Sequence, residues 1–322
     1  MHNTERNATS MVETFTWFGI VLFALWGICL AEDSLAAGKH VRLLAIGNSF
    51  SVNATRFLPE LVKASGNALT FGHACIGGCS YAGHWKTVEA FEADPGDTAG
   101  RPYSYGERKG LSLKEMLTAE QWDCVTIQQV SWESYRLESH RPHAKLLYDY
   151  VRKHAPEAEV LIHQTWAYQE DDPLFKDGFT TEKMHDGLRN AYHTIARELG
   201  CRVIPVGDAF RLARRSPDWR YVCPDPNFDY ANAKHPNLPD QTRLLTTGLF
   251  WSRQDDGTFK LGMDGHHANA NGEYLGGCVW FEFLYGRSVV GNTCLPEPVT
   301  EPAVLQKIAH DTMAAARKEV QP

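Results

Sequence analysis

Residues 41–51 read Val-Arg-Leu-Leu-Ala-Ile-Gly-Asn-Ser-Phe-Ser, an apolar run that ends abruptly in small and polar residues. The run predicts a buried strand over 41–46, and the amphipathic segment 54–64, closed by Gly66, predicts the helix that follows it. Ser49 then lies where the strand ends and the chain turns. A serine presented at such a turn is a candidate nucleophile, although many Gly-Asn-Ser sequences are only turns or helix caps.

The rest of the chain alternates short apolar runs with longer amphipathic segments. Strands alternating with helices predict an α/β fold, a parallel sheet with helices on both faces. The predicted strands are 41–46, 69–76, 123–128, 159–165 and 202–206, and the predicted helices are 54–64, 111–119, 142–154, 183–199 and 271–285.

Polar or glycine residues follow three of these strands. They are Ser49, the pair Gly77-Gly78 and the pair Gln128-Gln129. Ligands of parallel sheets bind beyond the carboxyl ends of the strands, so these residues are expected at one rim. Glycines let backbone N–H groups approach a substrate closely, and a glutamine amide can donate a hydrogen bond. Each pair is also consistent with an ordinary turn.

A histidine with a nearby acid stands towards the other end of the chain, in Asp264-Gly265-His266-His267. Serine is a weak nucleophile near neutral pH and needs a base, which a carboxylate-oriented imidazole supplies. The three-residue spacing favours His267 over His266 as the partner of Asp264. For the nucleophile, Ser51 is a weaker alternative to Ser49 because it lies further into the turn.

The composition limits location and partners. The net charge is −7 and no basic stripe is present, which argues against nucleic acid. Residues 15–30 form an almost unbroken apolar run, and Ala31 stands at a small-residue cleavage position. This pattern predicts a signal peptide over 1–31, export to the periplasm or the extracellular space, and no membrane contact after cleavage. An uncleaved membrane anchor is the alternative.

Residues 32–322 are then expected to form a single domain, with a long loop insertion around 216–262. Pro217, Pro224, Pro226, Pro236 and Pro239 break up this segment, and loops of such length are often functional. The acids at 225 and 229 within it are better explained as solvated side chains than as calcium ligands, so no metal is expected.

These motifs together resemble those of SGNH hydrolases in the GDSL-like lipase and esterase superfamily. The nucleophile block is Ala45 to Ser51, the glycine block is Gly77-Gly78, and the acid/base block is Asp264-x-x-His267 followed by Gly272-x-Tyr-Leu. Residues 203–210 (Val-Ile-Pro-Val-Gly-Asp-Ala-Phe) also resemble the fifth-strand region of that superfamily. The resemblance covers residues 41–286.

Two departures from the superfamily pattern stand out. The nucleophile block reads Gly-Asn-Ser-Phe where the family name implies Gly-Asp-Ser-Leu. The superfamily pattern also has a block between the glycine and acid/base blocks that reads Gly-x-Asn, with an asparagine that donates to the oxyanion. This chain has Gln128-Gln129 at that place instead. The chain therefore looks like a branch in which one glutamine, with Gln128 favoured, takes the place of the asparagine.

The resemblance implies a three-layer α/β/α sandwich with a flavodoxin-like parallel sheet of about five strands. It also implies a serine esterase with no cofactor, acting through an acyl-enzyme on Ser49 with His267 as base and Asp264 orienting it. The oxyanion would be held by the N–H groups of Ser49 and Gly78 and by a glutamine. A short acyl ester, in particular an acetyl ester of a carbohydrate, is the favoured substrate.

Other residues are expected to line the substrate pocket. They are Asn48, Gly77, Trp166 and Tyr168, although the two aromatic residues could equally be packing residues. Two alternatives to hydrolysis remain open at this point: a non-catalytic glycan-binding domain on the same fold, and acyl transfer to an alcohol.

Overall fold

The computed structural model describes residues 38–320, and the predicted signal peptide lies outside this range. The strands are β1 His40–Gly47, β2 Ala68–Cys75, β3 Tyr103–Tyr105, β4 Arg108–Leu111, β5 Cys124–Ile127, β6 Glu159–His163, β7 Arg202–Ile204, β8 Thr246–Arg253 and β9 Phe259–Ala268. The helices are α1 Ser49–Thr55, α2 Leu58–Ala64, α3 Tyr81–Ala93, α4 Leu113–Leu117, α5 Leu137–His140, α6 His143–His154, α7 Thr181–Leu199, α8 Val206–Arg215, α9 Ala270–Tyr285 and α10 Pro302–Val320.

Five strands form the central sheet, in the order β2-β1-β5-β6-β7. Every neighbouring pair in it is parallel. Residues of β1 such as Leu43, Leu44 and Ala45 are fully buried, as expected for a strand with helices over both faces of its sheet. The predicted α/β fold with five parallel strands is therefore confirmed.

The helix predicted over 54–64 is in fact two helices. Pro59 lies inside that stretch, and a proline ring lacks the N–H and clashes with the carbonyl four residues earlier. The chain accordingly ends α1 at Thr55 and starts α2 at Leu58, which places the proline in the first turn of the second helix, where it is tolerated.

The segment 216–262, expected to be a loop, holds regular structure in its second half. Strand β8 and the first residues of β9 pair antiparallel, with Gly248 opposite Asp264. Prolines break only the first half, so the expectation was wrong for 246–262. The sequence reading also missed α3, α8 and α10.

An aromatic stack connects the nucleophile turn with the sheet and α8. The ring of Trp166 lies between Phe50, with centroids 4.4 Å apart, and Phe210, with centroids 4.5 Å apart. All three rings are buried. The stack fixes the position of the residue that follows Ser49 relative to the end of β6.

Within residues 38–320, none of the helices combines the length and apolarity needed to cross a bilayer.

Candidate active site

Ser49 is the first residue of α1, directly beyond the carboxyl end of β1. Asn48 is the N-cap: its side-chain oxygen accepts a hydrogen bond from the Phe50 N–H at 3.0 Å. The Asn48 amide also donates to the carbonyl of Cys79 at 2.9 Å, which ties the nucleophile turn to the loop after β2. Asn48 is 1% exposed, so its side chain holds the turn together.

Gly47 allows a close approach beneath this turn. A Cβ there would lie 2.4 Å from Ser51 Oγ and 2.7 Å from Gln128 Oε1, well inside van der Waals contact. The Ser51 hydroxyl donates to Gln128 Oε1 at 3.0 Å and is fully buried. Ser51 is therefore a packing residue of the turn, and Ser49 is the serine that reaches the surface.

The serine, histidine and acid selected from the sequence meet in space. Ser49 Oγ lies 2.9 Å from His267 Nε2, and His267 Nδ1 lies 2.9 Å from Asp264 Oδ2. Ser49 and His267 are 218 positions apart in the chain. The distances and the order of the groups match a serine–histidine–aspartate triad, in which the acid fixes the ring and the far nitrogen faces the hydroxyl.

The Asp264 carboxylate is held by several donors. Burial would raise its pKa, but the backbone N–H and ring of His267 and the charge and backbone N–H of His266 outweigh burial and leave the pKa below its usual range. The other oxygen, Oδ1, accepts the backbone N–H of His267 at 2.9 Å and that of His266 at 3.2 Å. The acid therefore remains charged and can stabilise an imidazolium at His267.

His266 also contacts Asp264, with Nδ1 3.2 Å from Oδ1, and burial lowers its pKa. No hydrogen bond joins it to Ser49 among the described residues, so the geometry favours His267 over His266 as the partner of the serine. The three side chains could also be taken for a metal cluster, since their ligand atoms lie within 4.8 Å of one another. The Nδ1 atoms of His266 and His267 both face the Asp264 carboxylate, so each is best assigned as an N–H donor. A protonated nitrogen has no lone pair for a metal, which favours the triad over metal ligation.

Two residues that the sequence reading did not recognise as anchors hold the acid/base segment in place. Trp166 donates its indole N–H to the carbonyl of His266 at 2.8 Å. Gln169 donates its backbone N–H to the carbonyl of Gly265 at 2.8 Å, and its side-chain oxygen accepts from the Thr246 hydroxyl at 2.8 Å. Both follow β6, so the central sheet positions the hairpin formed by β8 and β9.

A cavity of about 90 Å³ lies over the serine. Beside the nucleophile turn and the two histidines, its wall includes Gly78 and the segment 130–132. Gly78 has φ +61°, a conformation that favours glycine, and an added Cβ would lie 3.2 Å from Trp132. The lining residues are Asn48, Ser49, Phe50, Gly78, Val130, Ser131, Trp132, His266 and His267.

The N–H groups of Ser49 and Gly78 were predicted to hold an oxyanion. Neither donates a hydrogen bond to another group in the described part of the chain, and both residues border the cavity. This arrangement is compatible with the predicted role. Gly77 was expected to line the pocket as well, but it is not among the residues of the cavity wall.

Gln128 does not provide the predicted side-chain donor to the cavity. Its amide N–H binds the carbonyl of Gln129, and its side-chain oxygen accepts from the Asn48 N–H at 3.3 Å and from the Ser51 hydroxyl. The residue is fully buried. Its role is to hold the nucleophile turn from below.

Gln129 is likewise occupied elsewhere. Its side-chain oxygen accepts from the N–H groups of Tyr81 and Val130, both at 2.9 Å, and its amide donates to the Ser139 carbonyl at 2.7 Å. Strand β5 ends at Ile127, one residue earlier than predicted, and both glutamines that follow it are fully buried. The cavity wall is formed instead by the next three residues, 130–132, for which the sequence predicted no role.

Trp166 and Tyr168 were expected to line the pocket, and this was wrong. Trp166 is fully buried in the aromatic stack. Tyr168 is 7% exposed, packs on the ring of His266 with centroids 5.1 Å apart, and hydrogen bonds through its hydroxyl to Ser131 Oγ at 2.8 Å. Trp132, half exposed at the cavity mouth, is the aromatic residue a substrate can touch.

A hydrogen-bonded serine, histidine and aspartate at the carboxyl edge of a five-stranded parallel sheet define an α/β protein with a triad-type site. The profile of the family described as DUF4886, a domain of unknown function, matches residues 42–221, more than half of the chain. The chain belongs to this family. No protein of curated function matches the sequence.

Solved structures similar to this chain include a DUF4886 family protein from Bacteroides uniformis. It is 26% identical, the match covers 86% of this chain and 95% of that one, and the TM-score is 0.66. A protein from Slackia heliotrinireducens, provisionally described as an SGNH hydrolase, is 19% identical over 76% of this chain and 100% of its own, with a TM-score of 0.47. The lipase/acylhydrolase from Enterococcus faecalis is 12% identical over 77% and 96%, with a TM-score of 0.44.

Proposed function

We propose that the protein is a serine esterase of the SGNH type that hydrolyses short acyl esters, with acetylated carbohydrates as the favoured substrates. The observation that carries this proposal is the pair of 2.9 Å contacts that join Ser49 to His267 and His267 to Asp264. A binding domain that does no chemistry has no need for a base in hydrogen-bond contact with a half-buried serine that borders a cavity.

In the acylation step, Ser49 Oγ attacks the ester carbonyl carbon while its proton moves to His267 Nε2. The negative charge on the carbonyl oxygen is stabilised by the backbone N–H groups of Ser49 and Gly78. The carbon–oxygen bond to the alcohol then breaks as His267 returns the proton to the leaving oxygen. The acyl group remains bound to Ser49.

In the second half, water attacks the acyl carbon and gives a proton to His267. The tetrahedral intermediate collapses, the bond to Ser49 Oγ breaks, and the imidazolium returns the proton to that oxygen. The carboxylic acid leaves, and the charged Asp264 stabilises the imidazolium in both halves. An alcohol in place of water would give acyl transfer.

The size and rim of the cavity support a short acyl group and a cyclic alcohol. About 90 Å³ of space beside the serine accommodates an acetyl group. Trp132, 51% exposed, presents an indole beside the serine. Aromatic faces of this kind pack well against the C–H faces of sugar rings.

The test is a panel of acetyl, butyryl and octanoyl 4-nitrophenyl esters and acetylated polysaccharides, with a fluorophosphonate probe for the nucleophile. We expect the rate of hydrolysis to decrease from acetyl to butyryl to octanoyl ester, and acetate to be released from the polysaccharides. The probe should label the wild-type protein, and Ser49→Ala should abolish labelling without a change in melting temperature. A wild-type protein that neither labels nor hydrolyses any ester would contradict the proposal and favour a glycan-binding domain. An added alcohol acceptor distinguishes transfer from hydrolysis by its acylated product.

A further inference from the structure

The part of the cavity wall formed by residues 130–132 contains one side-chain hydroxyl, that of Ser131. Its neighbours in the wall, Val130 and Trp132, offer no hydroxyl, and the amides of Gln128 and Gln129 are bound elsewhere. Ser131 is 2% exposed and lies on the same cavity as Ser49 and Gly78. A donor on this wall would face the two backbone N–H groups across the site.

The hydrogen bond between Ser131 and Tyr168 leaves one hydroxyl hydrogen over. The two oxygens lie 2.8 Å apart, and in the described part of the chain neither side-chain hydroxyl has another partner. Two hydrogens are therefore available for one contact. A buried hydroxyl hydrogen without an acceptor costs about 1–3 kcal/mol, so the remaining hydrogen should be placed where an acceptor can reach it.

Only one of the two hydroxyls can reach such an acceptor. Ser131 borders the cavity, whereas Tyr168 is absent from the cavity wall and is packed against His266. The favourable arrangement therefore has Tyr168 donating to Ser131 Oγ and the Ser131 hydrogen directed into the cavity. A hydroxyl that accepts one hydrogen bond becomes a better donor in the next, because the bonds polarise one another.

We propose that the Ser131 hydroxyl donates a hydrogen bond to the oxyanion formed on the acyl carbon, with Tyr168 as the positioning residue behind it. This assignment rests on the proposed esterase function and goes beyond it. No proton is transferred from Ser131: the hydroxyl supplies a dipole aimed at the site where negative charge develops. It would do in this chain what an asparagine amide does in the superfamily that the sequence resembles.

The test compares Ser131→Ala with Tyr168→Phe, using 4-nitrophenyl acetate. Ser131→Ala keeps the backbone and removes the proposed donor together with the acceptor of the Tyr168 hydroxyl. We expect kcat to fall roughly 100-fold while KM changes less than twofold. Binding of phenylboronic acid, which forms a tetrahedral adduct on Ser49, should weaken in the same variant, whereas binding of the product acetate should not. Tyr168→Phe should lower kcat about fivefold, because Ser131 keeps its hydrogen but loses the donor behind it.

Ser139→Ala is the matched control, since its hydroxyl lies near the same segment but outside the cavity wall, 2.8 Å from the backbone carbonyls of Glu133 and Arg136. It should leave kcat and KM unchanged. A wild-type kcat in Ser131→Ala, alongside an inactive Ser49→Ala, would overturn the role of Ser131 and leave the esterase function standing. Equal losses in Ser131→Ala and Tyr168→Phe, with equal drops in melting temperature, would overturn it in favour of a packing role. A wild-type protein without labelling or turnover would instead refute the esterase function itself.

Discussion

The two halves of the site are built in different ways. The nucleophile turn continues β1, the second strand of the central sheet, and rests on buried side chains that leave no room for a Cβ at Gly47. The acid and base lie near the end of β9, in a two-stranded antiparallel sheet separate from the central one. Close packing and buried hydrogen bonds of Asn48 and Gln128 position the first half, whereas hydrogen bonds from residues after β6 position the second.

Among the substitutions that keep the shape of the site, Asp264→Asn is expected to reduce activity the most. The amide cannot stabilise the imidazolium and favours the wrong ring tautomer at His267, so kcat should fall about 10⁴-fold. Steady-state hydrolysis of 4-nitrophenyl acetate measures the loss, and circular dichroism checks the fold. A loss below tenfold would mean that the acid is only a turn residue.

Gly47→Ala tests the packed half. The methyl group must displace Ser51 or Gln128, so the unfolding free energy should fall by about 1–3 kcal/mol and the hydroxyl of Ser49 should shift from its base. Urea denaturation and fluorophosphonate labelling rates measure the two effects. Gly257→Ala is not a suitable control because φ there is +82°; Gly77→Ala is, since a Cβ at that position meets nothing within 4 Å. An unaltered Gly47→Ala protein would show that the turn is looser than its contacts indicate.

Gln169→Ala tests the anchored half. The change removes the acceptor of the buried Thr246 hydroxyl while keeping the backbone bond to Gly265. The orphaned hydroxyl should cost about 1–3 kcal/mol, and a less constrained base should lower kcat about tenfold. Ser252→Ala, a half-buried position further along β8, is the control. Should both variants behave like wild type, the hairpin must be held by contacts other than this one.

The stability of the folded protein at acid pH should depend on four buried histidines. Burial lowers the pKa of His73, His84 and His140 to about 4 and that of His163 to about 3, against 6.5 for the exposed group. Between pH 6.5 and 4 the unfolded chain binds protons at these sites and the folded protein does not, so stability is full above pH 6.5 and falls as pH drops through this range. Thermal melts at pH 7.5, 6, 5 and 4 should show a progressive decrease in Tm. A constant Tm would mean that these rings are protonated without unfolding.

The sheet and the triad could be predicted from the sequence because each depends on a local pattern. The apolar runs identified all five strands of the central sheet, and the acid three residues before a histidine identified the base. That Ser49 and His267 meet could be expected from the superfamily resemblance, but the contacts that bring them together could not. Trp166 was noted only as an aromatic residue, and nothing in its sequence context shows that its N–H binds the carbonyl of His266.

The cavity wall at residues 130–132 could not be predicted from the sequence. Two polar residues at a strand end are expected to face the site, yet β5 ends one residue earlier than predicted and both glutamines turn inward. Assigning Ser131 needed the position of a cavity and the partners of both amides, which depend on the whole fold.

The stack of Phe50, Trp166 and Phe210 also has a consequence for how the chain can change. Its central indole touches the residue after the nucleophile and binds the carbonyl just before the base, so the spacing of the reacting pair is set at the root of the hairpin. The far end, at residues 254–258, is exposed and bears on neither contact. Lengthening or exchanging that tip is therefore expected to leave the spacing of Ser49 and His267 unchanged.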